Sequence, residues 1–193
     1  MHGDVYELRV ALLHVEPTVW RGLSVPADIR LDVLHEVLQA AFGWKNCHLH
    51  DFRAGDIRFG MADAQEDLFL VDERAVPLGA VARLGSTLVY LYDFGDDWEH
   101  EIVVERVVHR GDASIRCTGG ERACPPEDCG GPHGYGRMLE ALAGANGEEH
   151  EEMRQWAPRR FDAEKFDVVA VNKKLATLAK RVGRWRKRDA TPR

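Results

Sequence analysis

The chain has 193 residues, 45% of them apolar and 30% charged, with a formal net charge of -6. A length of this order suits one generous domain or two small ones, and the composition is that of a soluble globular protein. No apolar run reaches membrane-spanning length, and the acidic balance excludes a surface that is a nucleic-acid footprint throughout, while leaving room for a local basic patch.

Met1-His2-Gly3-Asp4 runs directly into a strand-like pattern, without the basic-then-apolar layout of a signal peptide, so a cytoplasmic location is expected. In that setting Cys47, Cys117, Cys124 and Cys129 read as thiols or metal ligands rather than disulfides. Tyr6, Leu8, Val10 and Leu12 alternate with Glu7, Arg9 and Ala11, which predicts a strand over roughly residues 4–14, broken by Pro17. Val19, Arg21, Leu23 and Val25 give a second strand that Pro26 ends, antiparallel to the first. Leu31, Leu34, Leu38, Ala41 and Phe42 then follow helical spacing. Asp28 and Asp32 suit the positive end of that helix, and Gly43 is placed to end it.

Cys47-His48-Leu49-His50-Asp51-Phe52-Arg53 reads as a further strand, on which His48, His50 and Phe52 share one face. Two histidines at i and i+2 are able to converge on one metal ion or to point at solvent, and both readings are open. Ala54-Gly55-Asp56 turns into Ile57-Arg58-Phe59. Residues 61–79 are acidic and weakly patterned, a connection rather than a linker between domains.

The chain is organised around Tyr90 to His100. Gly95-Asp96 suits the tight turn of a hairpin between the apolar runs Leu88–Tyr92 and Ile102–Val108. The turn bunches Asp93, Asp96, Asp97 and Glu99 at one sheet end, beside Trp98 and His100. Like charges so close need compensation from solvent, arginines or a cation, so the tip is either a solvated turn or a ligand site. On the second arm His100 falls on the apolar face with Trp98, Ile102 and Val104, where a packed histidine is the plainer reading. His109-Arg110-Gly111-Asp112 ends the hairpin.

From Cys117 to Gly134 the chain is rich in Gly and Pro, which excludes regular helix or central strand. Cys117, Cys124, Cys129 and His133 are the right atom types for zinc, although their spacing is not that of the common zinc folds. Buried free thiols in a packed loop are the alternative. Glu127 and Asp128 are able to complete the acidic hairpin site across space. Tyr135, Met138, Leu139 and Leu142 mark a short helix ending near Gly144, and residues 148–156 an acidic surface helix stopped by Pro158. Asp167 is placed to cap a last helix carrying Val168, Val171, Leu175, Leu178 and Val182. Arg184 to Arg188 form a basic tail, either a frayed terminus or a contact for phosphate or an acidic partner. No P-loop, dinucleotide fingerprint, Gly-x-Ser-x-Gly elbow or His-Glu-x-x-His occurs.

Taken together, several of these stretches resemble the plasmid pRiA4b ORF-3-like family. The resemblance is carried by Leu34 to Trp44, His48 to Phe52, Tyr92 to His100 and Cys124 to Gly131, with Phe161-Asp162, Phe166-Asp167 and Val171-Asn172 at the close. Leu31 departs from the pattern, where a capping Thr is expected. Such proteins are bacterial and archaeal, often linked to plasmids or transposable elements, and of unknown function, so the resemblance implies a fold more than an activity.

The resulting expectation is a single α+β domain over residues 1–183 with a basic tail at 184–193. A curved, mostly antiparallel sheet of five to seven strands packs against the Leu31–Phe42 helix and the C-terminal helices. His48, His50, Asp93, Asp96, Asp97, Trp98, His100, Glu127 and Asp128 are the cleft candidates. The first functional expectation is a binding module for a protein or nucleic acid, without catalysis and tied to mobile elements. Its rival is a metal-dependent hydrolase or nuclease that uses a His/Asp cluster with zinc or another divalent ion.

Overall fold

The computed structural model describes residues 3–61, 70–109, 114–144, 151, 157–158 and 161–189, with side chains described as far as Arg181 in the last stretch. Eight strands form one sheet: β1 (Asp4–Leu12), β2 (Trp20–Pro26), β3 (His50–Ala54), β4 (Ile57–Gly60), β5 (Leu70–Asp72), β6 (Thr87–Tyr92), β7 (Trp98–His109) and β8 (Arg116–Glu121). Among the described residues lie the α-helices α1 (Leu31–Phe42), α2 (Leu78–Val81), α3 (Gly131–Leu142) and α4 (Val168–Asp189). The strand order is β5-β4-β3-β6-β7-β1-β2-β8, antiparallel throughout except for the parallel pair β4 and β5.

Period-two patterning has its expected outcome. Tyr6, Leu8, Val10 and Leu12 of β1 and Leu88, Tyr90 and Tyr92 of β6 are buried in one core with Leu31, Leu34, Val37, Leu38, Ala41 and Phe42 of α1. Helix α1 begins at Arg30 and Leu31 with no side-chain cap, and it ends at Gly43 in the left-handed conformation. A missing cap costs about 1 kcal/mol. Each fully buried Leu, Val or Phe contributes about 1.5–3 kcal/mol, so the apolar stripe decides the helix. Asp167 caps α4 as expected: its Oδ1 accepts from the backbone N–H of Val169 and Ala170 at 2.9 Å.

Four local expectations are corrected. The sheet has eight strands because β5 hides in the weakly patterned acidic connection and β8 in the Gly-rich stretch. Residues 116–121 are an edge strand, and Gly120 is required there, since a Cβ would lie 2.7 Å from the Trp20 carbonyl oxygen and 2.8 Å from the Phe166 ring. The connection between β6 and β7 runs over Asp93 to Asp97 rather than the Gly95-Asp96 pair, and the residues with positive φ are Asp93 (60°) and Asp97 (53°). Asp tolerates that conformation when its side chain bonds the following backbone, as Asp93 Oδ1 does with the N–H of Gly95 at 3.0 Å. Residues 184–189 continue α4 rather than forming a frayed tail. The acidic helix expected at 148–156 and the turn at 110–112 lie outside the described residues, apart from Glu151. No helix among the described residues is long and apolar enough to cross a membrane.

Candidate metal centre

Three segments far apart in sequence meet beyond the ends of β3, β6 and β7. The first is the loop from Trp44 to Leu49, which leaves α1 and enters β3. The second is the hairpin tip from Asp93 to Asp97. The third is the loop from Cys124 to Gly130, which leads into α3.

Each segment is tied in place. The Asn46 N–H donates to Gln39 Oε1 at 2.8 Å, and Asn46 Oδ1 lies 2.9 Å from His35 Nε2. Because Asn46 Oδ1 only accepts, His35 carries its proton on Nε2. Its Nδ1 then accepts from the Tyr90 hydroxyl at 2.8 Å, while that hydroxyl accepts from Gln39 Nε2 at 2.9 Å. The Asp93 N–H donates to the Leu49 carbonyl at 2.9 Å, which fixes the tip against the first loop. The Gly130 N–H donates to Asp96 Oδ2 at 3.1 Å. Gly131 permits this approach: its φ is +67°, and a Cβ there would lie 2.4 Å from the Asp96 carbonyl oxygen.

At the junction Glu127 is buried. Its Oε1 accepts from the Lys45 N–H at 2.6 Å and from the Tyr92 hydroxyl at 3.2 Å. Burial raises the Tyr92 phenol, so it stays protonated and donates. Glu127 Oε2 is buried and has no hydrogen-bond partner among the described residues; the same holds for His48 Nε2. These two orphaned atoms lie 3.8 Å apart. His48 Nε2 is also 3.6 Å from Asp93 Oδ2 and 3.2 Å from Asp128 Oδ1, yet it forms a hydrogen bond with neither. Two sets of donors lie within 4.8 Å of one another and share His48: Cys47, His48 and Glu127, and His48, Asp93 and Asp128. For metal–ligand bonds of about 2.0–2.1 Å, the edge of a ligand tetrahedron is about 3.4 Å, so the spacings around His48 are those a small divalent ion needs. Trp44, Tyr92 and Trp98 form an apolar floor nearby, with ring centroids 5.3 and 5.4 Å from Trp44, and low polarity strengthens every charge interaction above it. On the other side Asp128 and Cys47 are exposed, which leaves an open face.

Of the nine cleft candidates, the structure therefore brings His48, Asp93, Glu127 and Asp128 together, with Asp96 as the tie between tip and loop. His48 stands two residues before β3, so it does not share a strand face with His50. Instead His50 Nε2 faces Glu73 Oε2 at 3.0 Å, and its ring stacks on His35 with centroids 3.6 Å apart. His100 is fully buried, and both its nitrogens are occupied: Nδ1 by the Trp98 and Tyr90 carbonyls at 3.0 and 3.2 Å, Nε2 by the Trp44 indole N–H at 3.1 Å. Burial lowers its pKa to about 4, so it is a neutral core residue. Trp98 is core, and Asp97 lies on a shallow surface with Arg53, Arg58 and Phe94.

Cys117, Cys124, Cys129 and His133 form no common ligand group among the described residues. All four cysteines are free. Burial pushes the Cys129 thiol up to about 12 and raises Cys117 and Cys124, so all three are protonated thiols at neutral pH. The Cys117 thiol donates to the Gly119 carbonyl at 3.2 Å. Sequence reasoning named Cys47 as a thiol or metal ligand without attaching it to this centre, and it missed Tyr92. The available signals were Cys47 beside His48, and two tyrosines at alternate positions on β6.

The sequence profile of the family described as plasmid pRiA4b ORF-3-like protein matches residues 4–170. The uncharacterized protein y4hQ of Sinorhizobium fredii is 43% identical over 195 aligned positions, covering 97% of this chain and 99% of that protein. A crystal structure of MM3350 from Methanosarcina mazei Go1, a protein of unknown function, superposes with a TM-score of 0.78 at 33% identity, over 87% of this chain and 97% of the other. With the profile match, the 43% identical relative and the shared fold in agreement, the chain belongs to the plasmid pRiA4b ORF-3-like family.

Proposed function

We propose that this protein is a metal-dependent hydrolase whose centre is built on His48. The observation that carries the reading is the pair of buried, orphaned donors, His48 Nε2 and Glu127 Oε2, facing each other with Asp93 and Asp128 alongside. Leaving such atoms unpaired costs about 1–3 kcal/mol each, and a bound cation would remove that cost. One imidazole with carboxylates and a nearby thiol favours a borderline ion such as zinc over magnesium. A bound ion on the open side would lower the pKa of water towards about 7, and Asp128, at the rim, is placed to accept its proton. The orphaned donors favour a metal-holding centre, and the open face beside Asp128 favours a hydrolytic one over a binding module.

The test is metal content of untagged protein purified without chelator, followed by melting with and without zinc. About one equivalent of metal is expected, with a melting shift of about 5 °C or more at a hundredfold excess over Kd. His48→Ala should abolish both effects, while Asp97→Asn should keep them. Absence of metal together with no cation-dependent shift in the native chain would overturn the proposal. Turnover is then sought with bis(4-nitrophenyl) phosphate, and it should vanish in His48→Ala and in Asp128→Asn.

A further inference from the structure

We propose that α4 is a docking surface for the phosphodiester backbone of nucleic acid. The helix carries eight of the 26 Lys and Arg residues of the chain and one of the 32 Asp and Glu residues. In a protein of net charge -6, that segregation is not background composition. The cations also recur as doublets seven residues apart: Lys173-Lys174, Lys180-Arg181 and Lys187-Arg188. Seven residues make nearly two turns and about 10.5 Å of rise, so the doublet positions follow one face with a drift of about 20° per step.

The opposite stripe of the helix is committed to the core, where Leu175 and Leu178 are buried. Lys173, Lys174, Lys180 and Arg181 are exposed, and Arg181 also pairs with Glu36 of α1. A groove of about 370 Å³ runs between α1 and α4, lined by Lys174 and Arg181 on one side and by Glu36, Gln39, Lys45 and Asn46 on the other. Lys45 and Asn46 immediately precede Cys47 and His48, so the basic face of α4 is continuous with the loop that carries the centre.

Two plainer accounts of the doublets fail. The helix dipole favours cations only in the last turn, and Lys173 and Lys174 lie in the second. A solvated helix stabilised by side-chain pairs alternates sign at i and i+4, whereas this one repeats a single sign and repels itself. A linear polyanion relieves that repulsion along the whole face, where a compact anion would meet one doublet. Contacts of this kind read phosphates and not bases, so sequence preference is not expected. That the bound phosphodiester is also the ester cleaved at His48 rests on the metal-centre reading; the docking does not.

The test is fluorescence anisotropy with a labelled 20-base-pair DNA duplex, in EDTA so that it fails or succeeds apart from the metal. Binding is expected at 20 mM salt and should weaken steeply as salt rises. Lys173→Glu with Lys180→Glu should weaken it at least tenfold and reduce the salt slope by about 2. Arg83→Glu with Arg106→Glu, an equal charge change elsewhere on the surface, should have a small effect, with circular dichroism confirming that both variants fold. No binding at 20 mM salt, or equal losses in the two double variants, would overturn the proposal. So would equally tight, helix-dependent binding of polyglutamate or anionic vesicles.

Discussion

His48 and His100 show how little a residue type says about its role. Both stand in polar motifs near the same sheet end, yet one presents a nitrogen with carboxylates around it and no hydrogen-bond partner among the described residues, and the other has both nitrogens bonded in the core. The consequence for His100 is a pH-dependent stability. Its ordinary value of 6.5 falls to about 4 in the folded state, so between these limits the unfolded chain binds a proton that the folded chain refuses. Acidification through that window therefore favours unfolding, and stability returns as pH rises above 6.5. From pH 7 to pH 5 this residue alone should remove about 2 kcal/mol. Urea denaturation at both pH values measures it: His100→Gln should lose about 2 kcal/mol less than the parent chain on the same change. His35, lowered to about 3 chiefly by burial and then by His50, contributes an acid-sensitive part of its own. The sequence made His48, Asp93, Glu127 and Asp128 legible as chemistry-bearing groups. It did not separate them from His50 and His100, because strand alternation places a side chain on a face without saying what that face meets.

At the scale of elements, the centre depends on how closely α3 approaches the hairpin tip. Gly131→Ala adds a Cβ 2.4 Å from the Asp96 carbonyl oxygen at a residue with φ of +67°, so backbone must move. The variant is expected to lose about 1–3 kcal/mol, and with it the bond from Gly130 to Asp96 that holds the third loop. If His48 holds a metal as proposed, its stoichiometry should fall with stability, and adding zinc should recover less of the melting temperature than in the parent chain. Strong alternation revealed β1, β2, β6 and β7, and helical spacing revealed α1 and α4. β5 and β8 escaped because three residues are too few to show a period and because two glycines hide a strand. The five-residue tip escaped because Asp93 and Asp97 adopt the left-handed conformation that the eye assigns to Gly95.

For the whole molecule the informative feature is the strand order. β1 pairs with β7 on one side and β2 on the other, which seats the N-terminal hairpin between the central hairpin and β8. No local pattern predicts that arrangement, since the pairing of β1 with β7 joins residues about a hundred positions apart. Arg21 knits the far side of this sheet. It is 2% exposed and lies between the rings of Phe42 and Phe166. Its guanidinium donates to the carbonyls of Ala41, Trp20, Glu121 and Arg122 at 2.7–3.0 Å. Arg21→Met keeps the length but strands four acceptors, and a loss of about 3 kcal/mol or more is expected by chemical denaturation. Because two of those carbonyls lie just before the third loop, metal affinity should fall as well.

The two margins of the sheet are finished differently. α4 packs along β8 on one side, and on the other β5 has three residues among those described, followed at once by the turn in which Asp72 pairs with Arg74. A margin that short offers a second chain too few backbone donors and acceptors to template a growing ribbon. An open eight-stranded sheet thus limits edge pairing at its described margins without closing into a barrel.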